Sequence, residues 1–211
     1  MKLHDFAPAP NAQRVRIFMT EKGLDIPIVE VALRDGAMFE EPYRTMNPFA
    51  VVPFLELDDG TCIGESVAIC RYLEELNPEP SLMGRDPQER AIVEMWNRRV
   101  ELDGYLPVIF ALRNAEPGFQ GRVIQGTRNP DVKQSPDIVQ RGKDLLALLL
   151  ERLDAQLSSN SLIAGESFSI ADITAHLTIQ LGSRLECPVP DTCPNVARWY
   201  EDVAARPSFQ S

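Results

Sequence analysis

Two strand-forming segments joined by a single amphipathic helix open this chain, and that arrangement leaves few folds available. Residues 2–6 and 27–31 are β-prone. Between them, residues 11–22 place Ala12, Val15, Phe18 and Met19 on one helical face, with Gly23 positioned to stop the helix as its C′ residue. A strand–helix–strand connection of this kind implies parallel strands with a right-handed crossover. Residues 39–46 are expected to form a short helix. Residues 53–57 and 61–63 flank Asp58-Asp59-Gly60, and Asp-Gly between two β-prone runs predicts a hairpin. Residues 66–76, with Val67, Ile69, Cys70, Tyr72 and Leu73, predict a further helix. The order is β-α-β-α-β-β-α.

Pro78, Pro80 and Pro87 punctuate the next stretch. They divide the chain into a first domain at 1–77, a linker at 78–87 and a second domain at 88–211. The second domain reads as all helical. Residues 91–113 predict a long helix that Pro107 should bend, and 116–136 read as a loop. Residues 138–157 are leucine-rich nearly all round and are expected to be central. Ser169-Ile170-Ala171-Asp172 has the spacing of a capping box, with Phe168 and Ile173 at the staple positions, so a helix should start sharply at Ile170 and run to 185. A last helix is expected over 195–205. The fold class is therefore α+β, a mixed domain followed by an all-α domain.

Charge and cysteine usage narrow the function. The formal charge is −10, which disfavours binding to a phosphate backbone and so a nucleic-acid partner. No apolar run approaches the roughly 20 residues of a membrane span. The opening MKLHDFAPAP has one Lys and no apolar stretch and does not read as a secretory signal. Four cysteines without a CxxC pair, and only two histidines, fit neither a disulfide scaffold nor a structural metal site. His4 and His176 are isolated and read as structural. A cytoplasmic globular protein with no metal is expected.

The layout and its motifs resemble those of the cytosolic glutathione transferases, whose first domain is thioredoxin-like. Val51-Val52-Pro53-Phe54-Leu55 resembles the family's cis-proline segment, Glu65-Ser66-Val67-Ala68-Ile69 its ES-x-AI motif, and Ser169-Ile170-Ala171-Asp172 its S-x-A-D box. The resemblance implies glutathione as cosubstrate, no further cofactor, and a homodimer. Glutathione's γ-glutamyl carboxylate would meet Ser66 at a helix N-terminus, where free N–H groups and a hydroxyl favour an anion, and its ammonium would meet Glu65. Ser66 equally suits a cap of its own helix. A cis peptide before Pro53, implied by the resemblance, would leave the Val52 N–H and C=O to pair with the cysteinyl backbone; an ordinary trans proline opening a strand is the alternative.

Only a thiolate is a good sulfur nucleophile, so the enzyme needs a donor to the glutathione sulfur. The family places Tyr, Ser or Cys on or after the first strand. Here Phe6-Ala7-Pro8-Ala9-Pro10-Asn11 contains none of these, and Ala9 stands where a hydroxyl is usual. This loop resembles that of bacterial nu-class transferases, in which an asparagine lies near the sulfur, and this implies Asn11 as the thiol contact. An N-cap for the first helix is the other reading of Asn11. Lacking a loop cysteine, the chain lacks the nucleophile for a mixed disulfide with glutathione, and Cys62 and Cys70 read as buried hydrophobes. By resemblance the acceptor pocket is walled by Phe6 and Ala7 and by Tyr105 and Phe110 of the long helix. Tyr105 and Phe110 also suit a core or interface role. Asp103 on that helix is an acidic candidate for the ammonium of the glutathione bound to the other subunit. The expected function is attack of a glutathione thiolate on a hydrophobic electrophile, or reduction of a disulfide or peroxide. A non-catalytic ligand-binding or regulatory relative is the alternative, favoured by Ala9 and opposed by the intact Val52-Pro53 and Glu65-Ser66 segments.

Overall fold

The structure is a computed structural model that describes residues 1–210. The chain divides into two compact units, Met1–Pro80 and the residues from Ser81 onward. In the first unit the strands are β1 (Lys2–Asp5), β2 (Ile28–Glu30), β3 (Phe54–Glu56) and β4 (Cys62–Ile63), and the helices are α1 (Pro10–Glu21), α2 (Tyr43–Met46) and α3 (Ser66–Leu76). The sheet order is β2-β1-β3-β4. β1 pairs in parallel with β2 through Leu3↔Ile28, as the strand–helix–strand reading requires, and antiparallel with β3 through Leu3↔Leu55. β3 and β4 form the expected hairpin through Leu55↔Ile63. Its loop is closed by the Thr61 carbonyl accepting from Leu57 N–H at 2.8 Å and by Asp59 Oδ1 accepting from Thr61 N–H at 2.9 Å.

Helix α1 buries Ala12, Val15, Phe18 and Met19. It stops at Gly23 because the chain turns left-handed there (φ 64°), where a residue without Cβ meets no steric penalty. The Leu24 and Gly23 amides then reach the Met19 and Thr20 carbonyls, at 2.9 and 3.0 Å, in a Schellman motif. The expected helix over 39–46 is smaller than predicted. Ala37–Phe39 is a 3-10 turn, Glu40 is extended, and α2 begins only at Tyr43, after Pro42. A proline can open a helix but cannot donate inside one.

The second unit holds α4 (Pro87–Val100), a π-helical turn (Glu101–Tyr105), α5 (Leu106–Ala115), α6 (Pro136–Leu157), α7 (Ile170–Ser183) and α8 (Pro194–Ala204). Helix α4 starts at Pro87, four residues before the predicted start. Pro87 is an N1 proline, and the Asp86 carboxylate accepts from the Gln88 and Glu89 amides. Pro107 acts on the turn before it. Its ring opposes the Asp103 carbonyl and it has no N–H to donate. The helix widens by one residue, with the Leu106 amide reaching the Glu101 carbonyl.

Helix α6 also begins at a proline, Pro136, and its expected all-round burial is not found. Leu146, Leu149, Leu150, Leu153 and Leu157 are buried, whereas Leu148 is 49% exposed. Gly142 is where α6 meets α5, since a Cβ there would stand 2.6 Å from the Pro107 carbonyl oxygen. Helix α8 takes its N-terminal cap from α6: Asp154 accepts from the Asn195 and Val196 amides at 2.7 and 3.1 Å. Among the described residues no helix is long and apolar enough to cross a membrane.

The capping box forms at Ser169 and Asp172, and it is larger than a local motif. The buried Asp172 carboxylate accepts from the Ser169 amide and hydroxyl, the Ile163 amide and the Trp199 indole, each at 3.0 Å. Burial pushes its pKa up in spite of these donors. Further along α7, His176 is buried in a stack with Tyr200, 4.3 Å between ring centroids, and against Phe209. Neither of its ring nitrogens has a hydrogen-bond partner among the described residues. Burial holds its pKa at about 4, below the roughly 6.5 of an unfolded chain. The unfolded state therefore binds the extra proton between these values, and stability falls as pH drops from 6.5 toward 4, by on the order of 3 kcal/mol. The raised Asp172 pKa acts in the opposite sense. Thermal midpoints at pH 7 and 4.5 should therefore be compared between wild type and His176→Phe, which share Asp172; the acid loss should be smaller in the variant.

Candidate functional site

Helices α1 and α3 lie parallel with their N-termini together. Arg14 donates through Nη1 to the Ser66 hydroxyl at 2.8 Å, and eight residues further along each segment Lys22 Nζ, just past the end of α1, pairs with Glu74 of α3 at 2.7 Å. Neither helix carries a side-chain cap at its start. The N-cap of α1 is Ala9, with Pro10 at the first helical position, so Asn11 does not serve as the cap. Its side chain projects toward α3: the Ser66 hydroxyl lies 3.4 Å from Asn11 Oδ1. The structure thus brings Asn11 and Ser66 together from 55 residues apart.

Glu65, the N-cap of α3, is exposed and has φ 63°, a left-handed conformation that costs a non-glycine residue about 1–3 kcal/mol. Strain of this kind persists where the surroundings hold a residue in place, and here it holds an exposed carboxylate at the mouth of a helix N-terminus. Val52–Pro53 is cis. Val52 is buried in a cluster with Val31, Met38 and Phe54, and Phe6 and Ala9 of the first loop pack on the same cluster. Neither the N–H nor the C=O of Val52 has a main-chain partner among the described residues. Ala7 is exposed, and its carbonyl accepts from Arg16 Nη2 at 2.7 Å. Arg16 also pairs with the buried Asp5.

The remaining predicted residues belong to the second unit. Tyr105 is 2% exposed at the end of the π turn, and Phe110 is 45% exposed on α5. Asp103 accepts from Arg152 at 2.8 Å and lies 3.5 Å from Arg99, so its charge is taken up within its own unit. Cys70 is buried as expected, whereas Cys62 is only half-buried, and neither thiol is activated. Burial pushes the Cys70 thiol up to about 12, against the pull of the nearby Arg14 charge, and burial raises Cys62 as well. His4, read as structural, is buried, stacked 4.3 Å from Phe54 and 2.8 Å from the Glu56 carboxylate.

Arg14 was not legible as part of this group. Its one sequence signal is position: a charged residue three after Asn11 and one before Val15, on the face that α1 buries.

Two family models match the sequence, the glutathione S-transferase N-terminal domain over residues 9–76 and the glutathione S-transferase C-terminal domain over 122–207. Glutathione S-transferase 2 of Saccharomyces cerevisiae is 31% identical over the whole chain and 88% of its own length. The chain belongs to the glutathione transferase family. Among solved structures, a glutathione S-transferase domain-containing protein of Marinobacter aquaeolei is 35% identical with a TM-score of 0.89, covering 99% of this chain and all of its own. A glutathione S-transferase of class Gtt2 from Vibrio parahaemolyticus is 37% identical with a TM-score of 0.84, covering all of this chain and 96% of its own. These full-length likenesses make the protein a glutathione transferase enzyme, with the thioredoxin-like first domain and helical second domain of that family. In this glutathione transferase the N-terminal family match begins at Ala9 and includes Asn11, Val52, Pro53, Glu65 and Ser66.

Proposed function

We propose that the first unit holds glutathione with its γ-glutamyl carboxylate on Ser66, its ammonium on Glu65, its cysteinyl main chain along Val52 at the Pro53 turn, and its sulfur at Asn11. The observation that carries this reading is the meeting of Asn11 and Ser66 at two helix N-termini without side-chain caps. Each such end carries about half a positive charge. The γ-glutamyl carboxylate and the cysteinyl thiolate are both anions, so a helix N-terminus favours each of them. The Asn11 amide N–H would supply the donor to sulfur that no Tyr, Ser, Thr or Cys of the loop supplies.

The bound thiolate then attacks an electrophilic carbon, forming the S–C bond as the leaving group departs with the electron pair. The same thiolate can open a disulfide or peroxide. The acceptor would rest on Phe6 and Ala7 of the first unit. A homodimer and a cytoplasmic setting are carried over from the family.

Asn11→Ala tests the thiol contact. Losing a donor to a charged sulfur is worth about 1.5–3 kcal/mol, or on the order of one to two pKa units. The thiol of bound glutathione should titrate that much higher in the variant, seen in thiolate absorbance, and conjugation near neutral pH should slow with it. An unchanged titration would remove Asn11 from the chemistry.

A further inference from the structure

Arg14 is 1% exposed, a cation on a helix face otherwise made of Ala12, Val15 and Phe18. Its Nη1–H donates into the Ser66 oxygen at 2.8 Å, and that hydroxyl in turn lies 3.4 Å from Asn11 Oδ1. A serine hydroxyl has one proton and two lone pairs, whereas a guanidinium only donates. With Arg14 occupying a lone pair, the Ser66 proton is directed to whatever acceptor shares the seat.

We propose that Arg14 is a positioning residue that fixes Ser66 as a hydrogen-bond donor and thereby makes the seat selective for a carboxylate at the γ-glutamyl end of the ligand. The inference rests on the proposed reading of Ser66 as the carboxylate anchor. Donation from a cation into Oγ polarises the O–H and strengthens it toward an anionic acceptor. The incoming carboxylate competes with Asn11 Oδ1 for this one proton, and a charged acceptor outcompetes a long contact to a neutral amide. The Lys22–Glu74 pair keeps the two parallel helices from sliding, so the 2.8 Å contact is held in register.

The test is calorimetric affinity of the full chain for two ligands, glutathione and γ-aminobutyryl-cysteinylglycine, the analogue that lacks only the γ-glutamyl carboxylate. The ratio of the two dissociation constants reports selectivity and is insensitive to the fraction of protein that is folded. Wild type should favour glutathione at least tenfold. Arg14→Gln should cut that ratio about tenfold, the loss of one charge-assisted hydrogen bond, and Arg14→Lys should recover part of it. In a Ser66→Ala background, Arg14→Gln should change the ratio no further. A wild-type ratio in Arg14→Gln, with only the melting temperature lowered, would overturn the inference and leave Arg14 a purely structural residue. Failure of both Arg14 variants to fold would overturn it in the same way. If wild type itself does not distinguish the ligands, the Ser66 anchor fails and takes this inference with it.

Discussion

Asp172→Ala is expected to destabilise the protein by about 3–5 kcal/mol, far more than the roughly 0.5–2 kcal/mol of an ordinary helix cap. The reason is the number of donors that converge on one buried carboxylate. Two come from Ser169, and the others from the Ile163 amide and the Trp199 indole. Trp199 has no exposed surface, so water cannot replace the lost acceptor. Each buried donor left unpaired costs about 1–3 kcal/mol before relaxation. Urea unfolding followed by tryptophan fluorescence would measure the loss. The specific activity of the fraction that remains folded should be nearly unchanged, because Asp172 lies outside the proposed glutathione seat. A destabilisation no larger than that of a single cap would show that Ile163 and Trp199 find other partners.

Ser66→Ala is expected to weaken glutathione binding by about 1–3 kcal/mol, the range for a hydrogen bond to a charged group, or roughly five- to 150-fold in the dissociation constant. It should also lower stability by about 1 kcal/mol, since the Arg14 donor loses an acceptor. Calorimetric titration separates the two effects, because affinity is read from the steepness of the isotherm and folded fraction from the stoichiometry at its midpoint. Unchanged affinity would place the γ-glutamyl end elsewhere.

Features of the fold that depend on neighbours in sequence were readable from the residues alone. Gly23, the Asp-Gly hairpin and the Ser169–Asp172 box each involve groups within a few positions of one another, and each formed as expected. Prolines misled in both directions. Pro87 and Pro136 read as punctuation yet stand at the first position of helices, where their missing N–H costs nothing. Pro42 shortened a helix that hydrophobic pattern alone extends to residue 39. Leu148 shows the limit of pattern in the other sense, because an apolar residue need not be buried. At the candidate site, family resemblance supplied Ser66, Glu65 and Val52. The Arg14–Ser66 contact spans 52 residues, and only the parallel packing of two helices brings it about.

That packing sets the proposed glutathione seat inside a protein of charge −10. Two helix poles and one guanidinium act over a short range, since salt screens charges beyond about 8 Å at physiological ionic strength. An anionic tripeptide approaching from solvent first meets the field of an acidic surface, which slows its arrival, and feels the attraction only over the final few ångströms. Affinity built this way resides in slow departure more than in fast capture.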